Sequence, residues 1–328
     1  MENIKKENHS MGVDVACVGI LVADVLAKPM DSVPEEGLLA QVDSIEMFSG
    51  GNAMTASINL KKMGISSAVV GKIGADPFGE FLKGRLIKDG VNVQGLSIDE
   101  NVQTSTSVVL SNSDGERTFL HCVGANGVFS IDDIDFSIIE QAKLVFLTGT
   151  FLLDTFDGPQ TTEFLKRCKK MGKITALDVC WDSKNNWNKF LKDAYPYIDI
   201  FLPSISEAEK LSGIRGNLEE IANFFLAGGV NTVIIKLGKY GALLKESIEA
   251  ASIIMPTYKN VKVVDTTGAG DSFCAGFLAA YIKGENLVSC LKFANAVGTH
   301  CVMAKGATTG IKSYEEIENF ISKNELEF

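Results

Sequence analysis

The residues with the clearest chemical potential lie in the segment 263–273, where three small residues run directly into a predicted helix. Gly268, Ala269 and Gly270 precede Asp271, where this helix is expected to begin. Free backbone N–H groups at a helix N-terminus bind anions, and small side chains let a phosphate approach. A carboxylate there is useful if it takes a proton from an attacking hydroxyl group. The alternative is a tight turn in which Asp271 only caps the helix.

A second glycine-rich helix start and an early aspartate could bind a hydroxylated ligand. Gly50 and Gly51 precede a helix predicted from Asn52, whose side-chain amide can both donate and accept hydrogen bonds. Asp24 follows the first predicted strand, 15–22, and ligands of open α/β sheets lie outside the carboxyl ends of the strands. A capped turn and a solvated loop carboxylate are the alternatives for these residues.

Several other catalytic patterns are absent from the sequence. There is no G-x-x-x-x-G-K-[ST] and no G-x-G-x-x-G after a predicted strand, which disfavours a P-loop NTPase and a dinucleotide oxidoreductase. There is also no G-x-S-x-G elbow. His9, His121 and His300 lack the spacing of metal ligands.

The composition predicts a cytoplasmic globular protein without nucleic-acid or membrane partners. The 328 residues are 46% hydrophobic and carry a net charge of −10, with only four arginines. Such a chain is a poor nucleic-acid binder, and no apolar run reaches the ~18 residues of a membrane span. The seven cysteines are scattered without a C-x-x-C pattern, which argues against disulfides and zinc. The N-terminus lacks the apolar region of a signal peptide.

The order of predicted elements indicates one large α/β domain at 13–328 after a flexible tail at 1–12. From about residue 130, strand-like segments alternate with helical patterns, which predicts a mostly parallel sheet. These strand-like segments are 144–147, 174–177, 198–202 and 232–237. Two further segments, 33–48 and 104–123, have an antiparallel β character and predict a small β appendage.

The two glycine-rich helix starts, about 220 residues apart, resemble those of the ribokinase-like (PfkB) carbohydrate kinase family. The N-terminal signature extends from Gly50-Gly51 through Gly64 to Gly71 and Gly74. The C-terminal signature is 265–271 followed by Ala275-Gly276. The resemblance implies a ribokinase-like three-layer α/β/α core with a small β-sheet lid that closes over the sugar and pairs between subunits of a homodimer.

The resemblance also implies roles for individual residues on the sugar side. Asp271 would be the catalytic base, and Gly268, Ala269 and Gly270 would form the anion hole. The sugar would be held by Asp24, Gly50, Gly51 and Asn52. His121 and Arg117, on the lid hairpin, would reach the substrate or a partner chain, and the alternative is that they are surface residues of an edge strand. Family members that use acidic sugars carry arginine near 182–184, where only Lys184 is cationic, so a neutral sugar is favoured.

On the nucleotide side, the resemblance implies ATP, Mg²⁺ and K⁺. The ATP-binding residues would be Lys236 and Gly238, where Lys236 replaces the family's Thr or Ser, together with Thr267 and with Asn295 near the adenine. Glu207 would organise Mg²⁺ through water, although the family's N-x-x-E reads S-I-S-E at 204–207. The K⁺ loop would comprise Asp265, Thr267 and Gly306.

The expected function is therefore ATP-dependent phosphorylation of a hydroxyl group of a small sugar. A nucleoside kinase of the same fold and a non-catalytic sugar or nucleotide sensor are the alternatives.

Overall fold

The computed structural model describes residues 12–114 and 116–326, so most of the predicted tail at 1–12 lies outside the described residues. The strands are β1 Val13–Gly19, β2 Val22–Lys28, β3 Ser44–Gly50, β4 Ser67–Gly74, β5 Asn92–Asp99, β6 Thr106–Ser111, β7 Arg117–Cys122, β8 Ala142–Thr150, β9 Ile174–Val179, β10 Ile200–Phe201, β11 Thr232–Lys236, β12 Ala242–Lys245 and β13 Ile253–Met255. The helices are α1 Asn52–Lys62, α2 Pro77–Lys88, α3 Gly124–Gly127, α4 Phe136–Gln141, α5 Pro159–Lys170, α6 Asn188–Leu191, α7 Ile205–Ser212, α8 Leu218–Ala227, α9 Ala269–Ile282, α10 Leu287–Val302 and α11 Tyr314–Lys323.

The large sheet has nine strands in the order β13-β12-β11-β10-β9-β8-β1-β4-β5. The seven strands from β11 to β5 are parallel, while β12 and β13 continue the sheet antiparallel at one edge. The expectation of a mostly parallel sheet is therefore confirmed. Parallel order brings the carboxyl ends of β1, β8, β9, β10 and β11 to one edge, where a ligand site is expected.

Each face of this sheet is covered by helices, as the predicted three-layer arrangement requires. Val15 and Cys17 of β1 contribute to one buried apolar cluster, which contains residues of α1, α9 and α10. Ala16 and Val18 contribute to the other, which contains residues of α5 and α8. Alternate residues of a strand point to opposite faces, so the continuous apolar run of β1 buries both sets of side chains.

The predicted first strand, 15–22, is divided into two in the structure. β1 ends at Gly19, where a Cβ atom would lie 1.9 Å from the carbonyl oxygen of Thr148. The chain then turns and enters β2, which belongs to a different sheet. Asp24 consequently lies within β2 and pairs with Phe48 of β3, rather than in a loop after the first strand.

The small sheet has four strands in the order β3-β2-β6-β7. Its β6–β7 hairpin lies within the predicted segment 104–123. The other predicted segment, 33–48, differs from the structure, because residues 33–43 form no strand and the partner of β3 is β2. Pro29, Pro34 and Gly37 favour turns over a strand ladder there. The first strand of the small sheet, β2, follows β1 after a short turn at 20–21.

All seven cysteines are free thiols. Cys122 on β7 is exposed and Cys180 is half-buried, whereas the other five are buried.

Among the described residues, no helix combines the length and apolar character needed to cross a membrane.

Candidate active site

The N-terminus of α9 is shaped by a glycine that no other residue could replace without strain. Gly268 caps the helix with φ of +72°, a conformation that favours glycine. A Cβ atom on it would also lie 2.2 Å from the Cβ of Ala307. The first-turn N–H groups of Gly270 and Asp271 have no intrahelical acceptor and are available to an anion. The start of α9 thus has two backbone N–H groups without intrahelical partners.

Asp271 lies in the first turn of α9 and faces the N-terminus of α1. Its Oδ1 accepts a hydrogen bond of 2.6 Å from Nδ2 of Asn52, so the two glycine-rich helix starts meet in space. A second contact between these helices is the 2.9 Å bond from Asn59 to Ser272. Burial raises the pKa of Asp271, while Lys236 and the bond from Asn52 oppose the rise. A raised pKa makes the carboxylate a stronger base at neutral pH.

Lys236, at the end of β11, forms a buried ion pair with Asp178, at the end of β9. The Lys236 Nζ lies 2.7 Å from Oδ1 of Asp178, which is almost fully buried. Burial lowers the pKa of Lys236, but Asp178 and neighbouring groups more than offset this, so the pKa is raised and the ammonium stays charged. A Cβ atom on Gly270 would lie 3.7 Å from Nζ. The ammonium therefore lies directly beside the N-terminus of α9.

Glu207 lies in the first turn of α7 and forms a capping box with Ser204, whose N–H donates a 2.7 Å hydrogen bond to its Oε2. Ser204 thus caps the helix where the family pattern has Asn. Burial raises the pKa of Glu207, Lys236 lowers it and Asp178 raises it, so these side chains are near one another. Among the described residues, no three His, Cys, Asp or Glu side chains form a metal-holding group. Mg²⁺ commonly binds through one or two carboxylates plus substrate phosphates, and the residues fit that mode.

A cavity of about 370 Å³ between the small sheet and the core brings together most of the predicted sugar-binding residues. We call it the Asn52 cavity; it is lined by Asp24, Gly51, Asn52, His121 and Asp271, among others. Gly50 lines a neighbouring cavity instead. Burial raises the pKa of Asp24, with Ser107 and His121 lowering it.

Asn126 and Ser107 also line the Asn52 cavity, and sequence reasoning missed both. The side chain of Asn126 donates to the carbonyl of Leu21 and accepts from its N–H, at 2.9 and 3.2 Å. It thereby fixes the turn between β1 and β2. The sequence feature that could have indicated Asn126 is the short G-A-N-G segment at 124–127, directly after the hairpin.

A separate cavity of about 580 Å³, the α9 cavity, is lined by Lys236, Gly238, Ala269, Gly270 and Asn295, among others. Three predicted nucleotide residues, Lys236, Gly238 and Asn295, are therefore gathered here. Thr267 is not; it lines the cavity that contains Gly50. The Asn295 side chain donates a hydrogen bond of 2.9 Å to the carbonyl oxygen of Pro256 and so supports the cavity wall.

The predicted K⁺ loop is held together by hydrogen bonds to Asp265. Its carboxylate accepts from the N–H and hydroxyl of Thr267 at 3.0 and 2.7 Å, and from the N–H of Gly306 at 3.0 Å. The Arg117 guanidinium of the small sheet lies 3.4 Å from the same carboxylate and donates a hydrogen bond of 2.8 Å to the Thr267 hydroxyl oxygen. Although burial opposes it, these donors lower the pKa of Asp265 to about 2. The K⁺ ion that the resemblance implies at Asp265, Thr267 and Gly306 stays a prediction.

Comparison with known proteins places the chain in a family. The model of the pfkB family carbohydrate kinases matches residues 13–313. An ATP-dependent 6-phosphofructokinase of Thermoanaerobacterium thermosaccharolyticum is 28% identical over 320 residues, which cover 95% of each chain. A ribokinase of Arabidopsis thaliana is 30% identical over 305 residues, covering 88% of this chain and 76% of the relative.

The solved structures agree with this assignment. Arabidopsis thaliana ribokinase complexed with ribose and ATP superimposes with a TM-score of 0.82 at 26% identity, over 95% of this chain and 99% of that one. A ribokinase of Thermotoga maritima gives a TM-score of 0.80 at 25% identity, over 94% and 99% of the two chains. These structural similarities and the family match over residues 13–313 together establish the ribokinase-like fold. The chain belongs to the pfkB family of carbohydrate kinases.

Proposed function

We propose that this kinase transfers the terminal phosphoryl group of ATP to a hydroxyl group of a small sugar, with Asp271 as the base. One observation carries the proposal. Asp271 lines the Asn52 cavity, whereas Ala269 and Gly270, immediately before it, line the α9 cavity. A single helix turn therefore separates a polar cavity suited to a hydroxylated acceptor from a larger cavity suited to a nucleotide. This arrangement is the one that an in-line transfer needs.

The proposed proton transfer involves Asp271 and the side chain that bonds to it, Asn52. The acceptor hydroxyl donates its hydrogen to a carboxylate oxygen of Asp271, and Asn52 holds the carboxylate through the other oxygen. The hydroxyl oxygen attacks the terminal phosphorus and its proton passes to Asp271, while the bond from that phosphorus to the bridging oxygen breaks and ADP leaves. The N–H groups of Gly270 and Asp271 then stabilise the charge that develops on the phosphoryl oxygens.

Lys236 and Glu207 complete the nucleotide side of the proposal. The Lys236 ammonium, oriented by Asp178, is placed to interact with a phosphate at the α9 N-terminus. Mg²⁺ that arrives with ATP would neutralise phosphate charge, with Glu207 holding its waters.

The test is ADP release measured over a panel of sugars and nucleosides, with Mg²⁺ and with EDTA. Turnover of at least one sugar, lost with EDTA, is expected. Turnover of nucleosides alone would replace the proposal with a nucleoside kinase. Tight binding of ATP or a sugar without any ADP would instead indicate a sensor.

A further inference from the structure

A third cavity adjoins the Asn52 cavity and carries an unusual set of cations. This cavity of about 390 Å³, which we call the Lys305 cavity, shares Asp24, Gly51, Phe119 and Asp271 with the Asn52 cavity. Its wall also includes Arg85, Arg117 and Lys305. The chain has only four arginines and a net charge of −10. Two of the four thus line one cavity that contains the proposed base.

Lys305 is held among like charges. Lys28 lies beside it and, as the largest influence, lowers the pKa of Lys305; Arg117 acts in the same direction. The charge of Glu46 raises the pKa of Lys305 and so opposes this shift, but Glu46 forms its 2.6 Å ion pair with Lys28. Among the residues that the structure describes, Lys305 itself forms no ion pair. Assembling ammonium and guanidinium groups is unfavourable, and a bound anion would relieve the repulsion.

Two of the three cations that line the Lys305 cavity already have carboxylate partners, since Arg117 lies 3.4 Å from Asp265 and Arg85 lies 2.5 Å from Asp89. Among the described residues, Lys305 is therefore the cation of this cavity whose charge is left for a ligand. Asp24 and Asp271 belong to the wall that the two cavities share. Asp265 is occupied by Thr267, Gly306 and Arg117. Arg85, Arg117 and Lys305 line only the Lys305 cavity. An acceptor with its reactive hydroxyl at Asp271 can therefore extend an anionic group toward the cations.

We propose that the acceptor is an acidic sugar, whose carboxylate or phosphate group binds Lys305 at the wall that also carries Arg117 and Arg85. This inference rests on the proposed function and narrows its substrate class. Lys184, the residue that suggested a neutral sugar, pairs with Asp154 at 2.5 Å and lines a different, small cavity. It therefore has no bearing on the acceptor in the Lys305 cavity.

The experiment compares acceptors that differ in one charged group. ADP release is measured for gluconate against sorbitol and for fructose 6-phosphate against fructose, with the intact chain. The anionic member of at least one pair should have the higher kcat/KM, by about tenfold or more, as expected of one charge-assisted contact. The two pairs separate a carboxylate from a phosphate ligand.

Lys305→Gln should raise the KM for the preferred anionic acceptor about tenfold and change kcat much less, because the contact orients the substrate and does not react. Lys323→Gln, an exposed lysine of α11, is the matched control and should leave that KM unchanged. A KM shift equal in both variants overturns the inference, as does a preference for the neutral member of both pairs.

Failure of the inference is distinguishable from failure of the proposed function. If neutral sugars are phosphorylated better, the kinase function stands and the anion subsite falls. If no sugar is phosphorylated, titration calorimetry of the same pairs still decides the subsite. If the anionic member then binds no more tightly than its neutral partner, the anion subsite is overturned. If it binds more tightly and Lys305→Gln abolishes the difference, the anion subsite is supported.

Discussion

Asp271 is the residue on which the chemistry depends, because it is held by one hydrogen bond from Asn52 and faces the charge of Lys236. Asp271→Asn keeps the shape of the side chain but removes its basicity. We expect kcat to fall by ~10²–10⁴-fold, as is usual when a positioned base is lost. The KM for ATP should change little, since the N–H groups remain.

The control for this prediction is Asp193→Asn, which alters an exposed carboxylate. ADP-release kinetics and ATP titration should be unchanged in that variant. A kcat of Asp271→Asn close to that of the unmodified enzyme would remove Asp271 from the mechanism.

Asp157 provides a pH prediction away from the active site. Burial raises its pKa to about 7, although the N–H groups of Phe151 and Leu153 oppose the rise. The folded state therefore keeps a proton between about pH 4 and 7 that the unfolded state releases. Stability should fall as the pH rises through this window, by up to about 1.4 kcal/mol per pH unit.

Urea unfolding at pH 5, 6, 7 and 8 measures this dependence. Asp157→Asn should flatten the loss of unfolding free energy with pH, while Asp193→Asn should follow the unmodified protein. Equal slopes in all three proteins would show that Asp157 titrates normally.

Among single residues, the sequence was most informative where small residues cluster. Asp271, Asn52 and Gly268 were predicted because glycine-rich helix starts have a physical purpose that can be recognised locally. Asp178 was missed as a site residue, since its partner Lys236 lies 58 residues further along the chain. Its importance follows only from β9 and β11 bringing it within 2.7 Å of Lys236.

Among the elements, the small sheet contacts the loop before α9 through the side chain of Arg117. Arg117, at the start of β7, contacts both Asp265 and Thr267 just before α9. We propose that the small sheet closes over the acceptor and that this contact stabilises the closed position. Arg117→Gln should therefore speed hydrogen exchange of 117–122 several-fold, because the charged contact is lost.

Hydrogen exchange with mass spectrometry measures this effect, and Arg215→Gln, an exposed arginine distant in sequence, is the control. A saturating acceptor should slow exchange at 104–123 in the unmodified protein. Exchange that neither Arg117→Gln nor an acceptor alters would argue against a lid.

The strand–helix alternation could be predicted because buried parallel strands are continuous apolar runs. The division of the first run at Gly19 could not, because it depends on the close approach of Thr148 from β8. The short strands β12 and β13 were also missed, since three or four residues carry little periodicity.

At the scale of the whole molecule, the small sheet presents unpaired edges and apolar side chains to solvent. β3 and β7 are its edge strands, and Ile45 and Leu120 on them are 68% and 63% exposed. Such edges favour association. We propose a homodimer through the small sheet, and sedimentation velocity at micromolar concentration should detect it.

Leu120→Lys should shift this equilibrium to monomer, because a charge would be buried in the contact. Ile87→Lys changes an equally apolar, exposed residue of α2 and should leave the dimer intact. A monomer at every concentration of the unmodified protein would contradict the proposal.

The exposed Cys122 gives the native chain a reporter of its own movements. Burial raises the pKa of the thiols of Cys17, Cys168 and Cys290, so these react slowly with alkylating dyes. Cys122 stands on β7, five residues after Arg117, with its thiol open to solvent. A fluorophore attached there would follow the small sheet in real time, without any engineered cysteine.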